Sequence, residues 1–430
     1  MNKIVEQLQD RLNHPDISIR LESLRDLVKK IHTGEIKQPH NGKDVNNHIH
    51  TTFSFSPYSP TKAIWMAYCA GLATAGIMDH DSVGGVEEFI EAGKIVGIAT
   101  TIGIECRADF SNTPLRDKRI NNPDQKSIAY VAIHGIPHTE INKVKEFFEP
   151  YTMERNNRNR KMVERLNQYI GSTGIKLDYG EVEALSMSKY GGSITERHIS
   201  YGLSKKLIEK FGKGSALLDF LNNQLRISIQ PNLVKQLSDE NNPFYIYDLL
   251  GLIKSELVSS FYIDAYAECP DITEVVHLSK IIGAILAYAY LGDVGNSVTG
   301  DKKTQRFEDD YIELLFQVIH QLDFNAVTYM PSRNSISQLE KLRILCDKYG
   351  FFQISGEDIN SPRQSFICEA MKGDAFQNLI DSTWALIGHE QQATHHKDLG
   401  MFSKDTQKKY PDLNERISIF KSIGLGLLST

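Results

Sequence analysis

From Val45 onward, short apolar runs alternate with amphipathic stretches, and this alternation restricts the possible folds more than any other feature. VNNHIH is followed by PTKAIWMAYCAGL, ATAGIMDH, GGVEEFIEAGKIVG, ATTIGIEC and SIAYVAIHG. Apolar runs of strand length, separated by helical spacing, are the pattern of a parallel sheet with crossover helices. After an interruption the rhythm returns in ITEVVHLSKIIG, AILAYAY, a helix across 308–322, NAVTYM, a helix across 335–349 and FFQISGEDI. The expected fold is α/β, with about seven strands available to close a barrel.

The interruption, from Thr139 to about Pro270, reads as mostly helical, with arginines concentrated in MERNNRNRKMVERLNQYI. An inserted helical subdomain over 139–270 is the simplest account. Ahead of the first strand, Ile4, Leu8, Leu12, Ile17, Ile19, Leu21, Leu24, Leu27 and Ile31 fall at roughly helical spacing, broken at His14-Pro15-Asp16. This predicts a two-helix leader over 1–40, leaving 41–138 and 271–430 for the barrel. The apolar face of the leader suits packing on the barrel or on a second copy, so a homo-oligomer is one expectation.

Charge narrows the partners. Lys and Arg total 48 against 54 Asp and Glu, a net charge of −6 with no long basic run, so no general grip on nucleic acid is advertised. A small anionic substrate held locally is compatible with that balance. The opening MNKIVEQLQD is charged where a secretory signal would be apolar, and no window approaches the roughly 20 apolar residues of a membrane span. Cys69, Cys106, Cys269, Cys346 and Cys368 are scattered and form no CxxC pair, which argues against a disulfide framework or a thiolate zinc site. A cytoplasmic protein with reduced thiols is expected.

Metal-competent side chains gather at the C-terminal ends of the predicted strands. His48 and His50 end the first, Asp79 and His80 the second, Glu105 the third, His134 the fourth and Asp358 the last. In a parallel barrel such ends open onto one face, where sites are built from several strands. His48 and His50, two apart on an extended chain, project to one side. Neutral imidazole suits zinc, iron or manganese, and the carboxylates Glu105 and Asp358 can bridge cations. Asp79 is expected to orient His80. His138 reads as loop, and the segment holding His389, His395 and His396 as a solvated tail.

These elements, in this order, resemble the PHP (polymerase and histidinol phosphatase) family of metal-dependent phosphoesterases, which have a distorted (β/α)7 TIM-like barrel. The match runs from about His48 to Gln364. ITERHISYGL, Ile194 to Leu203, resembles the ITRPHIA-like segment of the nucleotide phosphatase and 5′-to-3′ exonuclease subgroup. The resemblance implies a trinuclear metal site, a bridging hydroxide as nucleophile, and arginines that hold the scissile phosphate. Three ligand positions depart from it: Phe55 in HIHTTFSFS, Tyr288 in AILAYAYLG, and Asn360 in SGEDINSPR. By analogy the first cation keeps His48, His50, Glu105 and Asp358. The second has Glu105 and His134 but Tyr288 in place of a histidine, and the third keeps His80 opposite Phe55 and Asn360. One or two divalent metals per chain are therefore expected, drawn from zinc, manganese and iron, with Asn360 offering at most a weak oxygen ligand.

The expected activity is hydrolysis of a small phosphorylated substrate, a phosphomonoester or nucleotide. His198, Tyr288 and Asp79 are the candidate catalytic groups, and Arg107, Arg197, Arg333 and Arg363 the candidate substrate-binding ones. Two alternatives stand beside it: a degenerate barrel that binds metal or a phosphorylated ligand without turnover, and a metal-dependent amidohydrolase, since hydroxide attacks a carbonyl as readily as a phosphorus.

Overall fold

A computed structural model describes residues 3–293 and 306–427. The leader forms helices α1 (Lys3–Arg11) and α2 (Ile17–His32), with Asp16 capping α2 at the expected break. Strands β1 (Asp44–Ile49), β2 (Leu72–His80), β3 (Ala99–Asp109) and β4 (Ile128–His134) follow, with α3 (Pro60–Ala70) and α4 (Val86–Val96) as the first two crossovers. Helix α3 begins on a Ser59 cap with Pro60 in its first turn and ends at Gly71, the local chemistry that starts and stops a helix cleanly.

Next comes a helical stretch: α5 (Ile141–Tyr169), α6 (Tyr179–Ala184), α7 (Glu196–Phe211), α8 (Ser215–Asn223), α9 (Pro231–Ser238), α10 (Tyr245–Glu256) and α11 (Val258–Phe261). The alternation then resumes as α12 (Ile272–Ile282), β5 (Ile285–Ala289), α13 (Ile312–Gln321), β6 (Ala326–Tyr329), α14 (Ile336–Tyr349) and β7 (Phe352–Ser355), and the chain ends in α15 (Gln377–His395), α16 (Lys404–Lys409) and α17 (Leu413–Gly424).

Among the described residues the strands form one curled sheet of seven, in the order β1 to β7. It is mixed rather than parallel: β4 runs antiparallel to both β3 and β5, while the other neighbours are parallel. This corrects the expectation of uniform strand direction. Residues 110–127 connect β3 to β4 without a helix, so the chain returns beside β3 as a long hairpin instead of crossing over. At the sheet's two edges, Ile49 of β1 and Ile359, which follows β7, make a parallel bridge, with the His50 N–H donating to the Ile359 carbonyl (2.9 Å) and the Ile359 N–H to that of His48 (3.0 Å). Gly356 permits this approach, because a Cβ there would lie 2.6 Å from that of His48.

Alternation sorts the strand residues between two layers. On β3, Ile102, Ile104, Cys106 and Ala108 join the outer core with residues of α1–α4 and α12–α14. On the concave side, Ile285, Ala287, Ala326, Phe352 and Ile354 pack against Leu386 of α15 and Phe420 of α17. The segment expected to be a solvated tail is thus partly interior. His395 and His396 are exposed, but His389 is buried and accepts the Met401 N–H (2.9 Å). Its neighbour Glu390 accepts from Thr101 Oγ1 (2.7 Å), the Ile102 N–H (2.8 Å) and His138 Nε2 (2.9 Å). Helix α5 belongs to two cores: Ile141, Val144 and Phe148 join the outer core, Met162, Val163 and Leu166 a separate one with residues of α7, α8 and α10.

Candidate metal centre

Register brings the first candidate ligands together. His80 on β2 pairs with Glu105 on β3, so both side chains leave the same face. His80 Nδ1 is 3.1 Å from Glu105 Oε2, and the same oxygen lies 3.7 Å from His48 Nε2 and 4.0 Å from His50 Nε2. From the far edge of the sheet, Asp358 places Oδ1 3.1 Å from His50 Nε2. Two groups result, His48–His50–Asp358 and His50–His80–Glu105, each with ligand atoms within 4.8 Å of one another. Ligands bound at about 2.1 Å to one cation stand roughly 3.0–3.4 Å apart, so the shorter separations already match a shared ion.

The imidazoles fit a cation on a second ground. The Nε2 atoms of His48, His50 and His134 are buried and make no hydrogen bond, so a cation could take their lone pairs. Burial pushes His80 and His134 down to about 3, which keeps both rings neutral, the form that binds a metal. On His48 burial also disfavours the charged form, but Glu105, with Asp358 and Asp79, outweighs it and raises the pKa. Glu105 is the counterpart: burial opposes its charge, yet the surrounding imidazoles bring it to about 2. Because β4 is reversed, His134 is paired with Gly103 and sits one inward-facing step below Glu105, not at the common strand end foreseen for it.

Asp79 faces the other way from His80 and supports a different histidine. Its carboxylate accepts from the Thr51 N–H (2.7 Å), Thr51 Oγ1 (2.5 Å) and Ser54 Oγ (2.6 Å), and Ser54 Oγ lies 3.3 Å from His50 Nδ1. The relay from Asp79 through Ser54 to His50 fixes the ring from behind. Thr51 and Ser54 were not singled out in the sequence, although both lie inside HIHTTFS.

Two of the departures from the family pattern meet in space. Asn360 donates from Nδ2 to Asp358 Oδ1 (2.6 Å) and accepts from Arg197 at Oδ1 (2.7 Å). The Arg197 guanidinium stands 5.2 Å from the centroid of the Phe55 ring. Phe55 in turn packs edge-on against His198 at 5.0 Å. Asn360 therefore touches the candidate ligand Asp358, and Arg197 links Asn360 to the Phe55 ring.

The third departure lies elsewhere. Ile285 and Ala287 point to the concave side, so period two turns Tyr288 to the outer core, where its hydroxyl donates to Glu308 Oε1 (3.1 Å). Tyr288 is thus corrected from a candidate ligand or acid to an outer-layer residue. His198 caps α7, its Nδ1 accepting the Thr195 N–H (3.0 Å), and burial, then Arg197, push it down to about 3.

The expected phosphate-binding arginines are dispersed. Arg363 is held by Asp248 through two 2.7 Å bonds and lies over the Phe244 ring. Arg333 donates to the Leu291 carbonyl (3.3 Å), and Arg107 to Glu268 and Glu196. Arg155 and Arg158 of α5, noted in the sequence only as part of an arginine-rich helix, stand beside Arg107 in that network. Among the described residues all five cysteines are free, four of them buried.

No family model matches the chain. A 5′-3′ exoribonuclease of Haemophilus influenzae is 36% identical over 68 residues, 16% of this chain and 25% of that protein, so the chain spans about a quarter of the length of the curated relative it matches. A crystal structure from Bifidobacterium adolescentis, assigned as a metal-dependent phosphoesterase, has a TM-score of 0.51 at 18% identity, covering 76% of this chain and 94% of that one. That likeness speaks for a shared α/β fold. A Chromobacterium violaceum amidohydrolase covers 76% of this chain and 90% of its own at 14% identity and a TM-score of 0.47, too loose to carry an argument.

Proposed function

We propose that this chain is a metal-dependent hydrolase of phosphoesters, acting on a small phosphorylated substrate such as a phosphomonoester or nucleotide. One observation carries the reading: imidazole and carboxylate atoms from strands far apart in sequence converge to within 4.8 Å, with buried imidazole nitrogens left without hydrogen bonds. A cation would give those nitrogens a partner. In this reading the sheet is a distorted seven-stranded barrel carrying 139–270 as an insertion, and the free cysteines fit a reducing cytoplasm.

His48, His50, Glu105 and Asp358 would hold one divalent cation, with His80 and His134 available to a second through Glu105. Zinc, manganese and iron all accept this donor set. When bound, such a cation supplies Lewis acidity, lowering the pKa of a coordinated water and withdrawing charge from an oxygen of the scissile group. The residues do the positioning. Asp79 and Ser54 aim His50, Asn360 steadies Asp358, and Arg197, bonded to Asn360, would offer a planar cation to phosphoryl oxygens. Neither the outward Tyr288 nor the helix-capping His198 is given a proton-transfer step.

The test is elemental analysis of the purified protein, followed by a screen of phosphomonoesters, nucleotides and cyclic amides with manganese, zinc and iron. Phosphate release that stops on chelation and returns with a divalent ion supports the reading. Cleavage of amides alone would make the chain an amidohydrolase, and no turnover with any of the three metals would leave a binding protein.

A further inference from the structure

Strand β1 carries two asparagines, Asn46 and Asn47, directly before His48, and both are fully buried. Asparagine is a poor strand former, and a buried amide is costly unless its polar atoms are bonded. The reason for the pair lies at the junction of the sheet's two edges. Among the described residues β1 and β7 share no ladder, only the bridge between Ile49 and Ile359. Side-chain amides from β1 serve there instead. Asn47 Nδ2 donates to the Ser355 carbonyl at the end of β7 (2.8 Å) and to Thr383 Oγ1 on α15 (2.8 Å). Asn46 Nδ2 donates to the Glu357 carbonyl (3.1 Å) and, at 3.4 Å, to that of Phe366.

Asn46 also reaches in the other direction, since its Oδ1 accepts the His48 N–H (2.9 Å). One planar amide therefore holds the backbone of His48 by its oxygen and the residue before Asp358 by its nitrogen. Asn46 and Glu357 lie 311 positions apart in the chain, yet the two candidate ligands beside them belong to one group. Asp358 is fastened through both of its neighbours: Glu357 is held by Asn46, and Ile359 by the backbone of His48 and His50.

We propose that Asn46 is a positioning residue, setting the placement of Asp358 relative to His48 through the Glu357 carbonyl. The role rests on the reading above, in which these side chains hold a divalent cation. A cation requires its ligand atoms at fixed separations, so play in the backbone before Asp358 becomes lost affinity. Asn46 itself touches neither the cation nor a substrate.

Zinc and manganese affinities are measured by chelator competition for the full-length wild type, Asn46→Ala, Asp358→Ala and the double variant. The exchange rate of the Ile359 amide is followed beside them in the metal-free proteins. Asn46→Ala alone is expected to weaken binding by roughly 10- to 100-fold. In the Asp358→Ala background the same change is expected to alter affinity by less than about two-fold, because a residue acting through Asp358 has nothing left to place. Additive losses, which a merely structural asparagine would give, overturn the proposal, as does an Asn46→Ala affinity equal to wild type. The Ile359 amide is expected to exchange about ten-fold faster in metal-free Asn46→Ala than in wild type. A wild type that binds no divalent ion sinks the hydrolase reading, and the exchange rate then decides the placement of Asp358 by itself, an unchanged rate overturning it. Should Asn46→Ala fail to fold, Asn46→Ser takes its place with the same outcomes, since its hydroxyl keeps the turn onto the His48 N–H but falls short of Glu357.

Discussion

His50 Nε2 stands 3.1 Å from Asp358 Oδ1 across the line where the first strand meets the segment after the last. Both groups belong to the same set of potential ligands, and the nitrogen makes no hydrogen bond. His50→Ala is therefore expected to weaken divalent-cation binding by more than the roughly 10- to 100-fold that losing a supporting partner costs. Competition against a chromophoric chelator measures it; unchanged affinity would remove His50 from the ligand set.

The support behind that ring is open to separate test. Ser54→Ala cuts the relay from Asp79 while leaving every candidate ligand in place. Metal affinity should fall by roughly 10- to 100-fold, with the thermal midpoint of the metal-free protein nearly unmoved. A drop in that midpoint without a change in metal affinity would make the relay structural only.

The leader is fastened by one buried ion pair. Arg20 donates from Nε to Glu88 Oε1 (2.8 Å), and both side chains are almost fully buried. Arg20→Ala strands the Glu88 carboxylate and should cost about 3–5 kcal/mol in urea denaturation. Glu88 keeps its bonds from Thr61, so the helices α3 and α4 are expected to hold. A cost under about 1 kcal/mol would mean water replaces the guanidinium.

Glu308 supplies a pH dependence. Burial raises its pKa to about 7, against the lowering effect of the Leu291 and Gly292 N–H groups. The folded state thus binds this proton more tightly than the unfolded chain does. Its stabilising contribution is complete below the ordinary value of 4.5 and disappears as pH rises through about 7, at about 1.4 kcal/mol per unit of separation. Glu308→Gln carries no ionisable group there, so its stability should decline less than wild type between about pH 5 and about pH 8. Parallel pH profiles of the two proteins would refute the assignment.

The strands were legible because their β-branched runs and flanking caps are local signals, and the histidines because two imidazoles two residues apart on a strand share a face. Strand direction was not. Whether β4 returns or crosses over depends on the path of residues 110–127, which carries no periodic pattern. Tyr288 illustrates a second gap: ILAYA is apolar at every position, so no contrast in polarity marks which face is interior. The polar text GHEQQATHH reads as solvated, yet Glu390 is interior because it satisfies the Thr101 hydroxyl and the Ile102 N–H. The pairing of Arg107, Arg155 and Arg158 with Glu196 and Glu268 joins segments that share no local signal. That Phe55 and Asn360 depart from the resembled pattern was visible, but not that Arg197 would connect them.

Two backbone bonds clasp Ile359 to the end of the first strand, and His50 and Asp358 face each other across that clasp. The join between the sheet's two edges and the candidate ligands thus coincide. An ion shared by the pair would act as a buckle, so that the hydrogen-exchange rates of the His50 and Ile359 amides become a gauge of occupancy, slowing as the ion is loaded and quickening when it is withdrawn.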